Sequence, residues 1–375
     1  MRIEELPTPC AVVDLSRLER NAARMAERMT RLGVRLRPHV KTHKCAEIAR
    51  LSVRGHFGGV TVSTLAEARG LADAGFDDLT WAVPIALDRI DDALALGARV
   101  RRLALLVDHP DAARALSART RGAARRTPVF LKLDCGYHRA GVDPEDAASV
   151  AFARELSELP GLDFRGVLTH AGHAYRATRR EELHAVARAE REVTVRFAER
   201  LRAAGAPAAE VSVGSTPTMS VVEDLSGVTE ARPGNYLFYD AFQAAIGSCV
   251  LADAAFSVVA TVIGHARARN ELLVNAGALA LSKDAGPTHV DPRCGFGAVA
   301  SADRSRSFPG LRVRSLSQEH GELGSDAPID YDALPIGARV AIVPNHSCLS
   351  AAQFDRYHVA RDGVVVDAWR VLRGW

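Results

Sequence analysis

Residues 129–170, VFLKLDCGYHRAGVDPEDAASVAFARELSELPGLDFRGVLTH, read as a strand, a helix and a second strand. Val129–Cys135 and Arg165–His170 are short runs rich in apolar and β-branched residues. Glu145–Leu156 between them is Ala/Glu/Leu-rich and helical in pattern, and Pro144 stands where a helix begins. A strand that returns through a helix lies parallel to its predecessor, so this unit predicts a parallel sheet.

The same alternation repeats on both sides of this unit. Val34–Val40, Gly59–Ser63, Leu79–Val83 and Leu103–Val107 precede it as strands, and Val211–Ser215 and Val228–Arg232 follow it, which makes eight in all. Leu15–Leu32 reads as a helix ahead of the first strand. Lys44–Val53, Leu65–Ala74, Leu87–Leu96, Asp111–Ala118, Glu181–Ala204 and Thr218–Leu225 fill the other gaps, and Gly33, Gly75 and Gly205 mark helix ends. Eight such repeats predict a (β/α)8 barrel of the TIM type. The competing layout is an open doubly wound sheet, but the early G-x-G-x-x-G phosphate loop of many such folds is absent. After about Gly247 the texture changes to strands, at Phe256–Gly264, Leu272–Asn275, Leu311–Leu316, Val340–Val343 and Gly363–Arg370. The expected division is therefore a barrel over residues 14–246 and a mostly β domain over 247–375, joined by residues 1–13.

With 375 residues the chain is long enough for both, and 47% hydrophobic with 25% charged residues is the balance of a globular protein. A net charge of +3 with scattered basic residues argues against a nucleic-acid partner. No apolar run is long enough to span a bilayer, and no signal peptide is visible. Six cysteines without a C-x-x-C pair read as reduced thiols, which sets the expectation of a cytoplasmic protein.

Barrel enzymes carry their chemistry at the C-terminal ends of the strands. Here those ends read PHVKTHK (38–44), DCGYHR (134–139), HAGHAY (170–175), GSTP (214–217) and RPGNY (232–236). Only four lysines occur, Lys41, Lys44, Lys132 and Lys283, and Lys41 stands at the first strand end between histidines. A buried lysine near other cations can form a Schiff base, whereas an arbitrary lysine is a surface residue. Lys132, inside the fifth strand, is the rival. Gly214-Ser215-Thr216 and Gly234-Asn235 offer free backbone N–H groups and hydroxyls of the kind that hold phosphate. His346-Ser347-Cys348, read as an extended segment, points an imidazole and a thiol the same way, a pair suited to zinc; the plain alternative is a packed His and Cys.

Several of these stretches together resemble one family. RPHVKTHK (37–44), LDCGYHRAG (133–141), LTHAGHAY (168–175), VSVGSTPT (211–218), PGNYLFYD (233–240), NAGALALSKD (275–284), SQEHG (317–321) and PNHSC (344–348) are similar, in order, to the D-serine dehydratase/D-threonine aldolase family. These are fold type III enzymes of pyridoxal 5'-phosphate (PLP) with an architecture like alanine racemase. The resemblance implies that Lys41 carries PLP, with Arg139 and Tyr175 near its ring. It implies that Ser215, Thr216, Gly234 and Asn235 hold the phosphate, with His39 and Tyr236 also in the cofactor pocket. His346 and Cys348 become ligands of a divalent metal, zinc first, with manganese or magnesium as alternatives. The family also implies a homodimer.

Two chemistries follow from the resemblance, both on D-3-hydroxy amino acids. A dehydratase yields a 2-oxo acid and ammonia, whereas an aldolase cleaves Cα–Cβ to glycine and an aldehyde. Lys41-Thr42-His43-Lys44 and Cys348 are dehydratase-like. Thr169-His170-Ala171-Gly172 is aldolase-like, with His173 and Tyr175 as a hydroxyl base and its support. The reading favours a dehydratase acting on D-serine or D-threonine, with the aldolase as the alternative. A racemase would need no metal, and a non-catalytic PLP carrier would lack the second domain.

Overall fold

The computed structural model describes residues 1–375, in two compact units. One comprises Arg24–Lys41, Ile48–Gly234 and Leu372–Trp375; the other comprises Met1–Ala23, Thr42–Glu47 and Asn235–Val371. In chain order, β1 is Cys10–Asp14. It is followed by β2 (Arg35–Leu36), β3 (Val60–Val62), β4 (Asp78–Pro84), β5 (Arg102–Val107), β6 (Thr127–Lys132), β7 (Leu162–Leu168), β8 (Glu210–Val213) and β9 (Glu230–Ala231). β2 to β9 form a parallel sheet in the order β2-β9-β8-β7-β6-β5-β4-β3. A parallel bridge between His39 and Thr61, with the Thr61 N–H donating to the Pro38 carbonyl at 2.8 Å, joins the end of β2 to β3. The ring thereby closes into the (β/α)8 barrel that the alternation predicted.

All eight expected barrel strands are present, several shorter than their apolar runs. Strands such as β5 and β8 are buried along nearly their whole length, as parallel strands covered on both faces must be. The covering helices are amphipathic. The longest, Arg180–Ala203, turns Leu183, Ala187, Glu190, Thr194, Phe197, Ala198 and Leu201 inward. It ends two residues before Gly205, whose φ of +83° supplies the left-handed turn.

The barrel also buries charge. Arg37 has no exposed surface and donates to Asp78 at 2.7 Å and Glu230 at 2.8 Å. Burial opposes ionisation of Glu230, but the Arg37 guanidinium outweighs it and holds the carboxyl down at about 2. Glu230 also accepts from the Ser212 hydroxyl at 2.7 Å, and Ser212 accepts from Arg232 at 2.6 Å.

The second unit is one nine-stranded sheet. Its strands are β1, β10 (Phe256–Ala266), β11 (Glu271–Val274), β12 (Gly297–Ser301), β13 (Ser307–Leu316), β14 (Gly321–Gly324), β15 (Arg339–Pro344), β16 (Arg356–Arg361) and β17 (Val364–Arg370). Their order is β11-β14-β13-β12-β15-β10-β1-β16-β17, with β11 also paired to β10. Only β1 against β16 is parallel. Ile3, Leu6, Cys10, Val12, Val259, Ala341 and Ala360 pack into one core beneath this sheet. No helix of the chain is long and apolar enough to cross a membrane.

Candidate active site

In the barrel unit, Lys41 lies in the single turn Val40–Thr42 that follows β2, and its N–H donates to His39 Nδ1 at 3.4 Å. His39 is buried, its N–H bonded to the Pro233 carbonyl at 2.9 Å and its Nε2 3.4 Å from Ser63 Oγ. A Cβ on Gly234 would stand 2.5 Å from the His39 carbonyl oxygen, so only glycine allows the loop after β9 to lie against the end of β2. Two segments expected at the cofactor thus meet through their backbones.

His170, after β7, is held well below its ordinary value, first by burial and then by Lys41, Lys132, Arg232 and Arg139. Four cations from three strand ends, those of β2, β6 and β9, therefore bear on one neutral imidazole. Lys132 is buried, and burial followed by Arg232 pushes its ammonium down to about 8. Arg232 is itself buried and pushed down to about 10 by burial. The Arg139 guanidinium lies 4.9 Å over the Tyr137 ring, whose edge faces His170 at 6.2 Å. Asp134 shapes this loop by accepting the N–H groups of Gly136, Tyr137 and His138 at 2.9–3.0 Å. His173 and the half-buried Tyr175 lie in the turn Gly172–Arg176, and the His173 Nδ1 is buried without a hydrogen-bond partner.

After β8, Ser215 caps the helix Thr216–Val221. Its Oγ accepts the Thr218 N–H at 3.3 Å, and Thr218 Oγ1 accepts the Ser215 N–H at 3.1 Å. The barrel end therefore combines an excess of cations, glycine-shaped loops, capped N–H groups and one unpartnered ring nitrogen. Such a donor set fits a small, flat, phosphate-bearing group.

Sequence reasoning missed Glu190, a fully buried carboxylate whose oxygens accept from Ala171, Gly214 and Thr218. A signal was available, because Glu190 sits in line with Leu183, Ala187, Thr194, Phe197 and Leu201 on the apolar stripe of its helix.

The second unit holds the other group of predicted residues. The reading of His346–Cys348 as extended chain is corrected. β15 ends at Pro344, His346 is the last extended residue, and Ser347 begins the helix Ser347–Ala351. A strand-to-helix corner, not a pleat, presents the pair. Burial opposes charging of His346, but Cys348 and then Asp284 outweigh it and raise the imidazole to about 11. Asp284 Oδ2 lies 2.9 Å from His346 Nδ1, and Cys348 Sγ lies 3.2 Å from Thr42 Oγ1.

The Asn235 amide donates to Asp240 at 2.8 Å, to Ser347 Oγ at 2.9 Å and to Cys348 Sγ at 3.6 Å. Its side chain therefore belongs to this cluster, and its Oδ1 is buried without a partner. Buried Asp240 fixes the corner by accepting the Ser347 N–H at 3.0 Å and the hydroxyl at 3.1 Å. Tyr236 is fully buried in the turn Asn235–Leu237. His43 is also fully buried; burial pushes it down to about 3, and it packs edge-on to Phe238 at 6.3 Å as a neutral core residue.

Imidazole nitrogen and sulfur, with a carboxylate on the far imidazole nitrogen, are the donors and outer support of a zinc-type ion. No group of three or more His, Cys, Asp or Glu side chains is so arranged that it could hold a metal ion. A metal held by these two residues would keep positions for water or substrate.

Comparison with known proteins agrees with both halves. The family model for the alanine racemase N-terminal domain matches residues 13–241, and that for a putative serine dehydratase domain matches residues 255–360. The chain is 43% identical to D-threo-3-hydroxyaspartate dehydratase of Delftia sp. (strain HT23), over 99% of this chain and 98% of the relative. The solved structure of that enzyme superposes with a TM-score of 0.95 at 42% identity, covering 100% of both chains. Solved variants of it replace a histidine and, in a metal-free form, a cysteine two positions further on, the spacing of His346 and Cys348. D-serine dehydratase of Dictyostelium discoideum is 36% identical over 100% of this chain and 98% of its own. D-threonine aldolase of Arthrobacter sp. is 29% identical over 98% and 93%. Identity of this order along the whole of both chains, on a closed barrel followed by an antiparallel sheet, makes this chain a member of the D-serine dehydratase/D-threonine aldolase family of PLP-dependent lyases, with the alanine racemase fold.

Proposed function

We propose that the chain is a metal-activated dehydratase of D-3-hydroxy amino acids, giving a 2-oxo acid and ammonia. The observation that carries this reading is the His346–Cys348 corner with Asp284 behind the imidazole. When bound, PLP accepts the electron pair left at the substrate Cα, and the divalent ion, zinc by its donors, acts as a Lewis acid on the β-hydroxyl.

Lys41 would hold PLP through its Nζ, and the same nitrogen would take the Cα proton. Ser215, Thr216, Gly234 and Asn235 would hold the phosphate, Asn235 through its backbone. Arg139 and Tyr175 would flank the ring, and His39 and Tyr236 are further candidates to bind the cofactor. His346 and Cys348 would hold the metal, with Asp284 fixing the imidazole. The β-hydroxyl would leave as water by taking up a proton equivalent to the one Lys41 removes from Cα. The resulting enamine takes up water and releases ammonia, leaving the 2-oxo acid.

A second reading has one observation of its own. His173 has a buried Nδ1 without a partner at the barrel end, and its pKa is lowered by burial, which supports a role as a base on the hydroxyl with Tyr175 as its support. That route ends in glycine and an aldehyde. D-Threonine separates the two. 2-Oxobutyrate with ammonia from purified protein, PLP and metal supports dehydration; glycine with acetaldehyde overturns it in favour of the aldolase.

A further inference from the structure

Glu190 is the one fully buried carboxylate of the helix Arg180–Ala203. Its Oε1 accepts the N–H of Ala171 and the N–H of Gly214, each at 3.0 Å, and its Oε2 accepts the Thr218 hydroxyl at 2.9 Å. Ala171 follows β7, Gly214 follows β8, and Thr218 lies in the first turn of the next helix. One carboxylate thus ties two adjacent strand ends and a helix start to the same point. Its charge also supports the Lys132 and Arg232 cations.

The bonds have a direction. The Thr218 hydroxyl has two acceptor-only neighbours, Glu190 Oε2 at 2.9 Å and the Ser215 carbonyl at 3.2 Å, and the nearer, charged oxygen takes its single proton. Thr218 Oγ1 then receives the Ser215 N–H at 3.1 Å, while Ser215 Oγ receives the Thr218 N–H at 3.3 Å. The Ser215 hydroxyl, 3.0 Å from Thr218 Oγ1, is left as a donor. Without the carboxylate, Thr218 and Ser215 could exchange donor and acceptor roles.

We propose that Glu190 is a positioning residue for the cofactor. It registers the Gly214–Thr216 segment against the His170–Tyr175 segment and keeps the Ser215 hydroxyl a donor, its proton free to turn from Thr218 Oγ1 to the phosphate. This rests on the reading of Gly214–Thr216 as the phosphate-holding segment.

The test is PLP titration of cofactor-stripped protein, with the apo-protein melting temperature measured alongside. Glu190→Ala and Thr218→Val are expected to raise the Kd of PLP by about tenfold or more, the value of one or two charge-assisted hydrogen bonds. Glu190→Gln keeps an oxygen for both N–H groups but turns an N–H donor on the Thr218 hydroxyl, so it is expected to raise the Kd of PLP by less than Glu190→Ala and by about as much as Thr218→Val. A merely structural Glu190 would lower the melting temperature while PLP affinity stayed unchanged. Unchanged Kd in both Glu190→Ala and Thr218→Val overturns the proposal, and Thr218→Val decides it should Glu190→Ala not fold. Ser215→Ala with Thr216→Val is the separate check: unchanged affinity there shows that the phosphate reading itself has failed.

Discussion

Asp284 Oδ2 lies 2.9 Å from His346 Nδ1, across 62 residues of sequence, and so fixes which imidazole nitrogen faces away from the carboxylate. A carboxylate on one ring nitrogen sets the tautomer and makes the other nitrogen a better ligand. Removing such support costs about 10–100-fold in metal affinity. Asp284→Asn is therefore expected to raise the metal concentration needed for half-maximal activity by about that factor, with the PLP absorbance unchanged. Metal titration of chelator-treated protein measures it. A wild-type metal requirement in Asp284→Asn would remove Asp284 from the metal site.

How much of this was legible beforehand depended on whether the signal was local. The eight barrel strands were, because strands covered on both faces must be apolar runs, and helices with a wet side must be patterned. β12 (GAVAS), β14 (GELG) and β16 (RYHVAR) were not expected as strands. They are short, and rich in glycine, small or charged residues. Their ladders with β15, β13 and β1 hold them, and no local propensity announces that. The site divides the same way. Lys41, Ser215, His346 and Cys348 sit where a strand end meets a turn, and position drew attention to them. Glu190 and Asp284 act through partners far away in sequence. Glu190 is also one acid in a helix full of exposed acids, so composition hid it.

Lys41 and the metal pair belong to different tests because they would hold different groups. Lys41→Ala is expected to lose both turnover and the absorbance of lysine-bound PLP, since none of the other three lysines stands in the turn after β2. A retained lysine-bound band would move the assignment to another residue, with Lys132 first. Treatment with a chelator is expected to abolish dehydration and leave that band in place. Full activity after exhaustive metal removal would sink the metal-activated reading.

Lys132 gives a prediction in pH. Burial, and then the Arg232 and Arg139 cations, push its ammonium down to about 8 from an ordinary 10.5, with Cys135 and Glu190 opposing. Between those two values the unfolded chain holds a proton that the folded chain has given up. Stability therefore rises with pH across the window and is lowest below pH 8, where the folded protein must bury the charge. A shift of this size corresponds to something on the order of 3 kcal/mol at full effect. The measurement is urea unfolding of the cofactor-free protein at intervals from pH 7 to pH 10.5. Lys132→Met is expected to be more stable than the parent at pH 7, with the difference closing towards pH 10.5. A difference between variant and parent that stays constant with pH would mean that Lys132 keeps its proton in the fold, and that the cations around His170 are better screened than their burial implies.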